Sequence, residues 1–534
     1  MMKAVYFKPW ISEWHWGVRF SLLLMLLSSL SQLGMFVMVQ NYVVSYLGAQ
    51  PEDISFAVMC TYAGIITVIP LQFRFFKFFE PRSYLLVSLM LAILLNLLCF
   101  NCKDINLFLV IRFLQGLLTG NVLVVTLLLI FTRIEPGRVK MVAPAVFYGA
   151  IFSNIVLIGA VGGVVVESFD WKVTYYCLIG AQGLTILVIL LMLTRRSGHR
   201  PYPLYQLDWQ GSILFALAAL AFAYTIIYGS KYYWFSDSRI RYSGIAALIG
   251  SMLFLYRQSI VRRPVIHLSV FRSPGFIGAV GVLAVYYGSK DSINMVYNYA
   301  GGVLKWSALQ VITLGLCNVS AMVVVLVFAI RMMLAEKIQI VTLMVIGFAL
   351  MAGFNAWMSF SITPDLGMGD LMLPVILQGA SSGLLFVPIM IEVLARAGAN
   401  MGVSGLVIAA CTRFAATSNS FAGFYNLQLY FNQKFKDSFL GYLSSDNPLT
   451  QEWISYYRTG FISKGFSADQ ASALATATLG QQLGKQSQLL TYRAVFMFFG
   501  IGLGLISMLL LGVLIIKKMR CYWPQSIKCY QSEV

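Results

Sequence analysis

Long apolar stretches alternate with short polar segments along almost the whole chain. Examples are residues 84–100, 107–131, 173–193, 341–360 and 494–516. About 20 consecutive apolar residues cross the hydrocarbon core of a bilayer as a helix. A bilayer has no water to satisfy the backbone amides, so each such segment must pair its amides internally. The pattern therefore predicts an all-α polytopic membrane protein.

Fourteen spans are predicted, with short connections between most of them. They lie at residues 18–46, 53–73, 83–101, 106–132, 141–166, 173–194, 209–229, 242–258, 275–300, 307–330, 338–360, 370–395, 400–425 and 492–516. One polar segment, residues 426–491, is longer than the others. It contains a capping box at Ser467 and Gln470, which predicts a helix lying at the membrane surface. Three alternatives are open for this segment: a helix that covers an exit path, a helix that docks a partner, or a solvated loop with no role.

The charge pattern gives the orientation. The chain is 59% hydrophobic and 11% charged, so one membrane unit is expected, and its formal net charge is +18. Twenty-three lysines and arginines fall in the tails and the loops of one side, and six in the short loops of the other. The positive-inside rule then places both termini in the cytoplasm, which requires an even number of spans. The basic excess is explained by topology, so no nucleic-acid partner is expected.

A short motif occurs twice. The fourth span contains Leu114-Gln115-Gly116 followed by Gly120, and the twelfth contains Leu377-Gln378-Gly379 followed by Gly383. If spans seven and eight are an insert, both motifs lie on the fourth helix of a six-helix half. A GxxxG pattern alone is typical of helix packing. The shared glutamine and the matching position favour two related halves, as in transporters that bind substrate at the midplane. The predicted units are an N-terminal half at 1–200, two inserted helices at 201–272 and a C-terminal half at 273–534.

Charges inside spans are costly and are functional candidates by default. They are Arg112, Lys290, Asp291, Glu392 and Arg413. Asp291 is the preferred site of proton coupling, and a structural ion pair with Arg413 or Lys290 is the alternative. Lys290 is expected to point elsewhere on the helix. Glu392 is either a second proton site or a salt-bridged carboxylate.

Polar neighbours of these charges are candidate substrate ligands. On a continuous helix Tyr287, Asp291, Asn294 and Asn298 share one face. Tyr287 and Tyr297 offer rings for stacking on an aromatic or cationic substrate. Arg112 and Gln115 share a face of the fourth span, where Arg112 biases a carboxyl group, binds an anion or serves only in packing.

These residues resemble the major facilitator superfamily, specifically its fourteen-helix drug:proton antiporter family of multidrug resistance proteins. Arg112 to Gly116 with Gly120 looks like the RxxQGxxxG signature. Gly159, Gly162 and Gly163 look like the antiporter motif GPxxGG, with Gly159 where that family has proline. Gln378-Gly379 and Phe386-Val387-Pro388 resemble the second half of the family.

Two departures bear on function. Residues 74–82 are basic but lack the GxxxDRxGRR pattern. The first span has no acidic residue, and Gln32 stands near the place where the family has one. The resemblance implies a fold of two halves that alternate access. Gln32, Gln115 and Gln378 are further candidate substrate ligands. The resemblance also implies a periplasmic adaptor and an outer-membrane channel as partners.

The leading hypothesis is proton-coupled efflux of amphipathic or cationic organic compounds across a bacterial inner membrane. The alternative keeps the fold and moves an anionic metabolite or siderophore, which the missing first-span acid and the basic residues Arg112 and Arg413 favour. A membrane enzyme or sensor needs a soluble domain or a His/Ser/Asp constellation, and the sequence has neither. No GxxxxGK[ST] loop and no cysteine or histidine metal spacing occur, so no cofactor or metal is expected.

Overall fold

The computed structural model describes residues 6–134, 139–197, 204, 207–335, 338–398, 401–443 and 447–531. Nearly all of them are helical, and the isolated bridge between Phe7 and Leu193 is the extended pairing seen in this part of the chain. The helices are α1 (Pro9–Ser12), α2 (His15–Leu47), α3 (Pro51–Phe78), α4 (Pro81–Asn101), α5 (Ile105–Phe131), α6 (Val139–Ser168), α7 (Val173–Met192), α8 (Trp209–Tyr228), α9 (Ser238–Ile260), α10 (Pro274–Lys290), α11 (Ile293–Gly302), α12 (Ala308–Leu334), α13 (Ile340–Ser361), α14 (Met368–Arg396), α15 (Gly402–Leu440), α16 (Pro448–Ile462) and α17 (Ala468–Gln531). Short 3₁₀ turns lie at Trp234–Ser236 and Leu268–Arg272.

Ten of the described helices are long and apolar enough to cross a membrane. The all-α polytopic prediction is therefore confirmed, whereas the count of fourteen spans stays a prediction. The boundary predicted at residues 200 and 201 lies outside the described residues.

Local sequence explains where many helices begin. Proline occupies the first helical turn of α3, α4, α10 and α16, where its missing N–H costs no hydrogen bond. Asp104 caps α5 by accepting from the Asn106 N–H, at 3.0 Å. Ser307 and Gln310 form a capping box at the start of α12. These caps satisfy amides that would otherwise be exposed at the ends of apolar helices.

Two groups of helices pack mainly within themselves. One comprises α2 to α7, and the other α10, α12 to α15 and α17. They meet where α6 contacts α12 and α14, and where α3 contacts α15. This is the arrangement that two related halves would give, and the exact division of the chain remains a proposal.

Helices α8 and α9 form a pair at the junction of these groups. Phe215 of α8 packs on Phe254 of α9, with ring centroids 5.2 Å apart. Helix α8 also contacts both α3 and α15. On one side Phe56 packs against Tyr224 at 5.6 Å, and on the other Phe222 packs against Phe414 at 6.4 Å. The pair therefore touches both groups.

The polar segment predicted at residues 426–491 is largely helical. Helix α15 is 39 residues long and continues past residue 425 to Leu440, and α16 follows. Hydrogen bonds at Ser467 and Gln470 confirm the predicted capping box. The helix it starts is α17, which is 64 residues long and runs without a break into the last span. The prediction of a separate helix on the membrane surface is wrong, because no turn separates residues 468–491 from the span.

We call the part of α15 beyond residue 425, α16 and the part of α17 before residue 492 the helical extension. The Ser487 hydroxyl holds α17 to α15 by donating to Asn432 Oδ1, at 2.6 Å. A cavity of 320 Å³ lies between these two helices, lined by residues including Tyr425, Asn432 and Gln488.

Candidate functional site

The helix predicted at residues 275–300 is interrupted in its middle. Helix α10 ends at Lys290 and α11 begins at Ile293. Asp291 has a ψ of 0°, outside the helical range, and the Ser292 and Asn294 N–H groups bond three residues back. The Ser289 hydroxyl donates to the carbonyls of Val285 and Tyr286, and such bonds compete with the helical pattern.

The break brings two adjacent charges together. Lys290 Nζ lies 3.2 Å from Asp291 Oδ1, and the side chains are 10% and 22% exposed. The expectation that Lys290 points away from Asp291 is wrong, because it assumed the rotation per residue of a continuous helix. The single polar face predicted for Tyr287, Asp291, Asn294 and Asn298 is lost for the same reason.

The residues of that predicted face separate. Tyr287 is buried, whereas Asn294 and Asn298 are exposed, and Tyr297 is partly buried. Of this set, Tyr287 and Asp291 lie close together, because both interact with Arg413 of α15.

Arg413 of α15 joins the ion pair to both groups of helices. It interacts electrostatically with Asp291, Tyr287 and Tyr62. Its guanidinium carbon lies 5.4 Å from the centroid of the Tyr287 ring. Tyr62 belongs to α3, so this contact crosses between the two groups of helices. We call Tyr62, Tyr287, Lys290, Asp291 and Arg413 the charged cluster.

Gln378 supports the helix break from α14. Its Nε2 donates to the Lys290 carbonyl at 3.0 Å. In an unbroken helix that carbonyl would accept from the Asn294 N–H, which here bonds to the Asp291 carbonyl. Asn318 of α12 donates to Gln378 Oε1 at 2.7 Å. The second LQG motif thus places its glutamine directly against the charged cluster.

The first LQG motif places Gln115 in a network of buried amides. Asn96 Oδ1 accepts from Gln32 Nε2 at 2.8 Å and from Gln115 Nε2 at 3.0 Å. Asn96 Nδ2 donates to Gln182 Oε1 at 3.0 Å. All four side chains are at most 4% exposed. We call Gln32, Asn96, Gln115 and Gln182 the amide network.

Arg112 adjoins the amide network. Its side chain is 1% exposed, and its Nη1 donates to Gln115 Oε1 at 3.0 Å. The guanidinium carbon lies 3.8 Å from the centroid of the Phe36 ring. Amides do not titrate, so the network cannot itself carry protons.

Glu392 is engaged in a local ion pair. Its Oε2 accepts from Arg396 Nε at 2.6 Å, four residues along α14. Arg396 also donates to the Gly275 carbonyl at 3.2 Å. This is the salt-bridged alternative that the sequence offered for Glu392, and it lies apart from the charged cluster.

The motif glycines lie at close helix contacts. A Cβ on Gly120 would lie 2.4 Å from Val68, and one on Gly383 would lie 2.6 Å from the Met322 carbonyl oxygen. A Cβ on Gly163 of α6 would lie 2.5 Å from Ile312 of α12, at the junction of the two groups of helices. Gly159 and Gly162 are buried, and so is Pro388 inside α14.

Sequence reasoning missed Asn96, Gln182, Asn318 and Tyr62. Asn96, Gln182 and Asn318 carry a signal, since each is an amide in the interior of an apolar span, where such side chains bond between helices. Tyr62 carries no comparable signal, because tyrosine is common in packing.

These features define a multi-pass helical membrane protein. A family model described as Major Facilitator Superfamily matches residues 21–423, and the chain belongs to that superfamily. The expected resemblance to this family is thereby confirmed. Among solved structures, a peptide transporter POT in complex with sulfate aligns with a TM-score of 0.58 and 14% identity, over 92% of this chain and 94% of that chain. This likeness supports the fold alone.

Several curated relatives are bacterial proteins named for multidrug resistance or multidrug export. "Probable multidrug resistance protein EmrY" of Escherichia coli is 20% identical over 64% of this chain and 66% of its own length. "Multidrug resistance protein 3" of Bacillus subtilis is 22% identical over 58% and 64%. "Multidrug export protein EmrB" of Haemophilus influenzae is 22% identical over 59% and 60%. The chain therefore matches just under two thirds of the length of these relatives.

Proposed function

We propose that this chain is a secondary active transporter that couples proton movement to the export of amphipathic organic compounds by alternating access. The observation that carries the proposal is the Lys290–Asp291 ion pair at the break between α10 and α11. A charged pair in a broken helix near the middle of a span is a typical arrangement for ion coupling in transporters. The bacterial relatives named for multidrug resistance and multidrug export support export of drug-like compounds.

A proton on Asp291 changes the charged cluster directly. In the ionised state the Asp291 carboxylate binds the Lys290 ammonium, with Arg413 close by. Protonation removes the negative charge and with it the ion pair. The repulsion between the two cations is then no longer offset by Asp291, which favours a conformation that separates them. Coupling follows if proton and substrate stabilise different conformations.

The interaction between Arg413 and Tyr62 suggests how a change at Asp291 alters the packing of the two groups of helices. Arg413 lies on α15 and Tyr62 on α3, so their interaction spans the two groups of helices. We propose that rocking of one group against the other changes this contact, so that Asp291 exchanges protons with opposite sides of the membrane in the two conformations.

A second candidate concerns the charge of the substrate. Arg112 and Lys290 are buried, and Arg413 and Asp291 are partly buried. Together these four residues comprise three cations and one carboxylate, which gives an excess of two positive charges. Such an excess favours an anionic organic substrate over a cationic one. Transport of an anionic metabolite is therefore the alternative to export of cationic drugs.

Proton flux in proteoliposomes tests both candidates. Wild type is compared with Asp291→Asn, using a panel of cationic dyes and organic anions. Glu452→Gln is the matched acid-to-amide control, because Glu452 is exposed on α16. We expect substrate-induced proton release in wild type and in the control, and none in Asp291→Asn. Proton flux that persists in Asp291→Asn would overturn the coupling role of Asp291.

We further propose a location in a bacterial inner membrane with both termini in the cytoplasm. The basic loops support this orientation. A periplasmic adaptor and an outer-membrane channel stay predictions from family resemblance, and the helical extension is the surface that such a partner would meet first.

A further inference from the structure

Arg112 is a fully buried cation with unused hydrogen-bond donors. Its Nη1 donates to Gln115 Oε1, whereas Nε and Nη2 have no hydrogen-bond partner in the part of the chain that the structure describes. These two nitrogens form the side-on edge of the guanidinium group. That edge presents two parallel N–H groups, the geometry that binds a carboxylate bidentately.

Among the described residues, no carboxylate lies beside the positive charge of Arg112. Its electrostatic partners are Cys99, Tyr175 and Cys60, and thiols and phenols are uncharged at neutral pH. The face of Phe36 attracts the guanidinium but supplies no negative charge. The other side chains of the amide network bond to one another and remain neutral. Burying a charge is costly unless it is paired, so an anion beside Arg112 would stabilise the folded protein.

We infer that Arg112, with Gln115 and Phe36, forms a binding site for a singly charged anion, either a carboxylate group or chloride. Nε–H and Nη2–H donate to the anion, Gln115 fixes the guanidinium orientation, and Phe36 packs beneath its plane. The residues come from α2 and α5, and the neighbours Cys60, Cys99 and Tyr175 add α3, α4 and α7. The site therefore lies within one group of helices and is separate from the charged cluster.

Two sources of the anion fit the site, and each gives one form of the proposal. A carboxylate would belong to a transported organic anion, and this form rests on the proposed transport function. Chloride would be a resident ion that neutralises Arg112 in place of the first-span acid, and this form does not depend on the transport proposal.

Equilibrium binding to the purified full-length protein in nanodiscs tests the site. Radiolabelled chloride and radiolabelled acetate are titrated separately at constant ionic strength in sodium sulfate. We expect saturable binding of at least one anion in wild type. Arg112→Gln should weaken it about tenfold or more, since a charge-assisted hydrogen bond is lost. Arg239→Gln is the control, because Arg239 is an exposed cation on α9 and should leave binding unchanged.

A second variant keeps the test decisive if Arg112→Gln fails to fold. Gln115→Glu places a carboxylate where Oε1 already accepts from Arg112, at the expense of one hydrogen bond to Asn96. This variant should fold, lose anion binding and show a melting temperature independent of chloride and acetate.

The outcomes separate the alternatives. Chloride binding supports a resident ion, and binding of acetate alone supports a substrate carboxylate. Absence of saturable binding in wild type, or equal binding in folded Arg112→Gln, would overturn the site. Asp291→Asn should retain anion binding even if its proton flux is lost, so failure here differs from failure of the proposed function.

Discussion

Gly116 of α5 lies so close to Thr61 of α3 that a Cβ atom on the glycine would stand 2.1 Å from the Thr61 carbonyl oxygen. In the other group of helices, Gly379 of α14 bears the same relation to the Asn318 carbonyl on α12, also at 2.1 Å. Both glycines follow a leucine and a glutamine. The same short motif therefore builds the same close helix contact twice.

Alanine at either glycine should force the paired helices apart. We expect Gly116→Ala and Gly379→Ala each to lower the free energy of unfolding by about 1–3 kcal/mol, the usual cost of overpacking. Gly180→Ala and Gly512→Ala are matched controls, since a Cβ at those positions meets no atom within 4 Å. Thermal unfolding in detergent measures the difference. Equal melting of all four variants would show that the contacts are not tight in solution.

These contacts were predictable because they depend on residue type at fixed spacing. Only glycine permits such an approach of two backbones, and the glutamine before it marks the polar interior. The pairing of Lys290 with Asp291 was not predictable in the same way. The break that creates it contains no proline, and a hydrophobicity pattern does not record the non-helical ψ of Asp291 that ends α10.

Replacing either residue of the Lys290–Asp291 ion pair should change stability by a different amount. Lys290→Met leaves Asp291 with Arg413 nearby, whereas Asp291→Asn removes the carboxylate that both cations share. We expect Asp291→Asn to destabilise the protein more than Lys290→Met. The double variant should recover part of the loss, with a coupling energy of about 0.5–3 kcal/mol in a double-mutant cycle of thermal unfolding. Additive losses would mean that the two side chains do not interact in the folded protein.

The contacts of Asp208 predict a second stability effect, at the α8–α9 pair. The Asp208 side chain is 1% exposed, and it accepts from Arg257 Nε at 2.7 Å, Gln258 Nε2 at 3.1 Å and the Gly211 N–H at 2.9 Å. It thus caps α8 and joins it to the end of α9. We expect Asp208→Ala to lower the free energy of unfolding by about 1–3 kcal/mol beyond the loss of a cap, because buried donors remain unpaired. Arg257 is partly solvated, so its own share of that loss is small.

Asp237→Ala is the control for that measurement. Asp237 caps α9 through the Arg239 N–H, at 2.7 Å, in an exposed position. Its loss should cost about 1 kcal/mol, the usual value of a helix cap. If Asp208→Ala and Asp237→Ala cost the same in chemical or thermal unfolding, the contacts with Arg257 and Gln258 add nothing to stability.

The hydrogen bonds of the amide network predict that Asn96 contributes more to stability than its neighbours do. Asn96 joins the other three amides of the network through three hydrogen bonds, so Asn96→Leu leaves three buried amides each short of a partner. Each unpaired buried group costs about 1–3 kcal/mol. Gln182→Leu removes one bond and should cost less. Asn101→Leu is the control, because Asn101 is exposed at the end of the same helix and bonds to the Leu97 carbonyl. The melting temperature of Asn96→Leu should lie well below that of Gln182→Leu, with Asn101→Leu close to wild type. A reversed order would mean that the network is solvated and that Arg112 lies in a wetter site than its burial indicates.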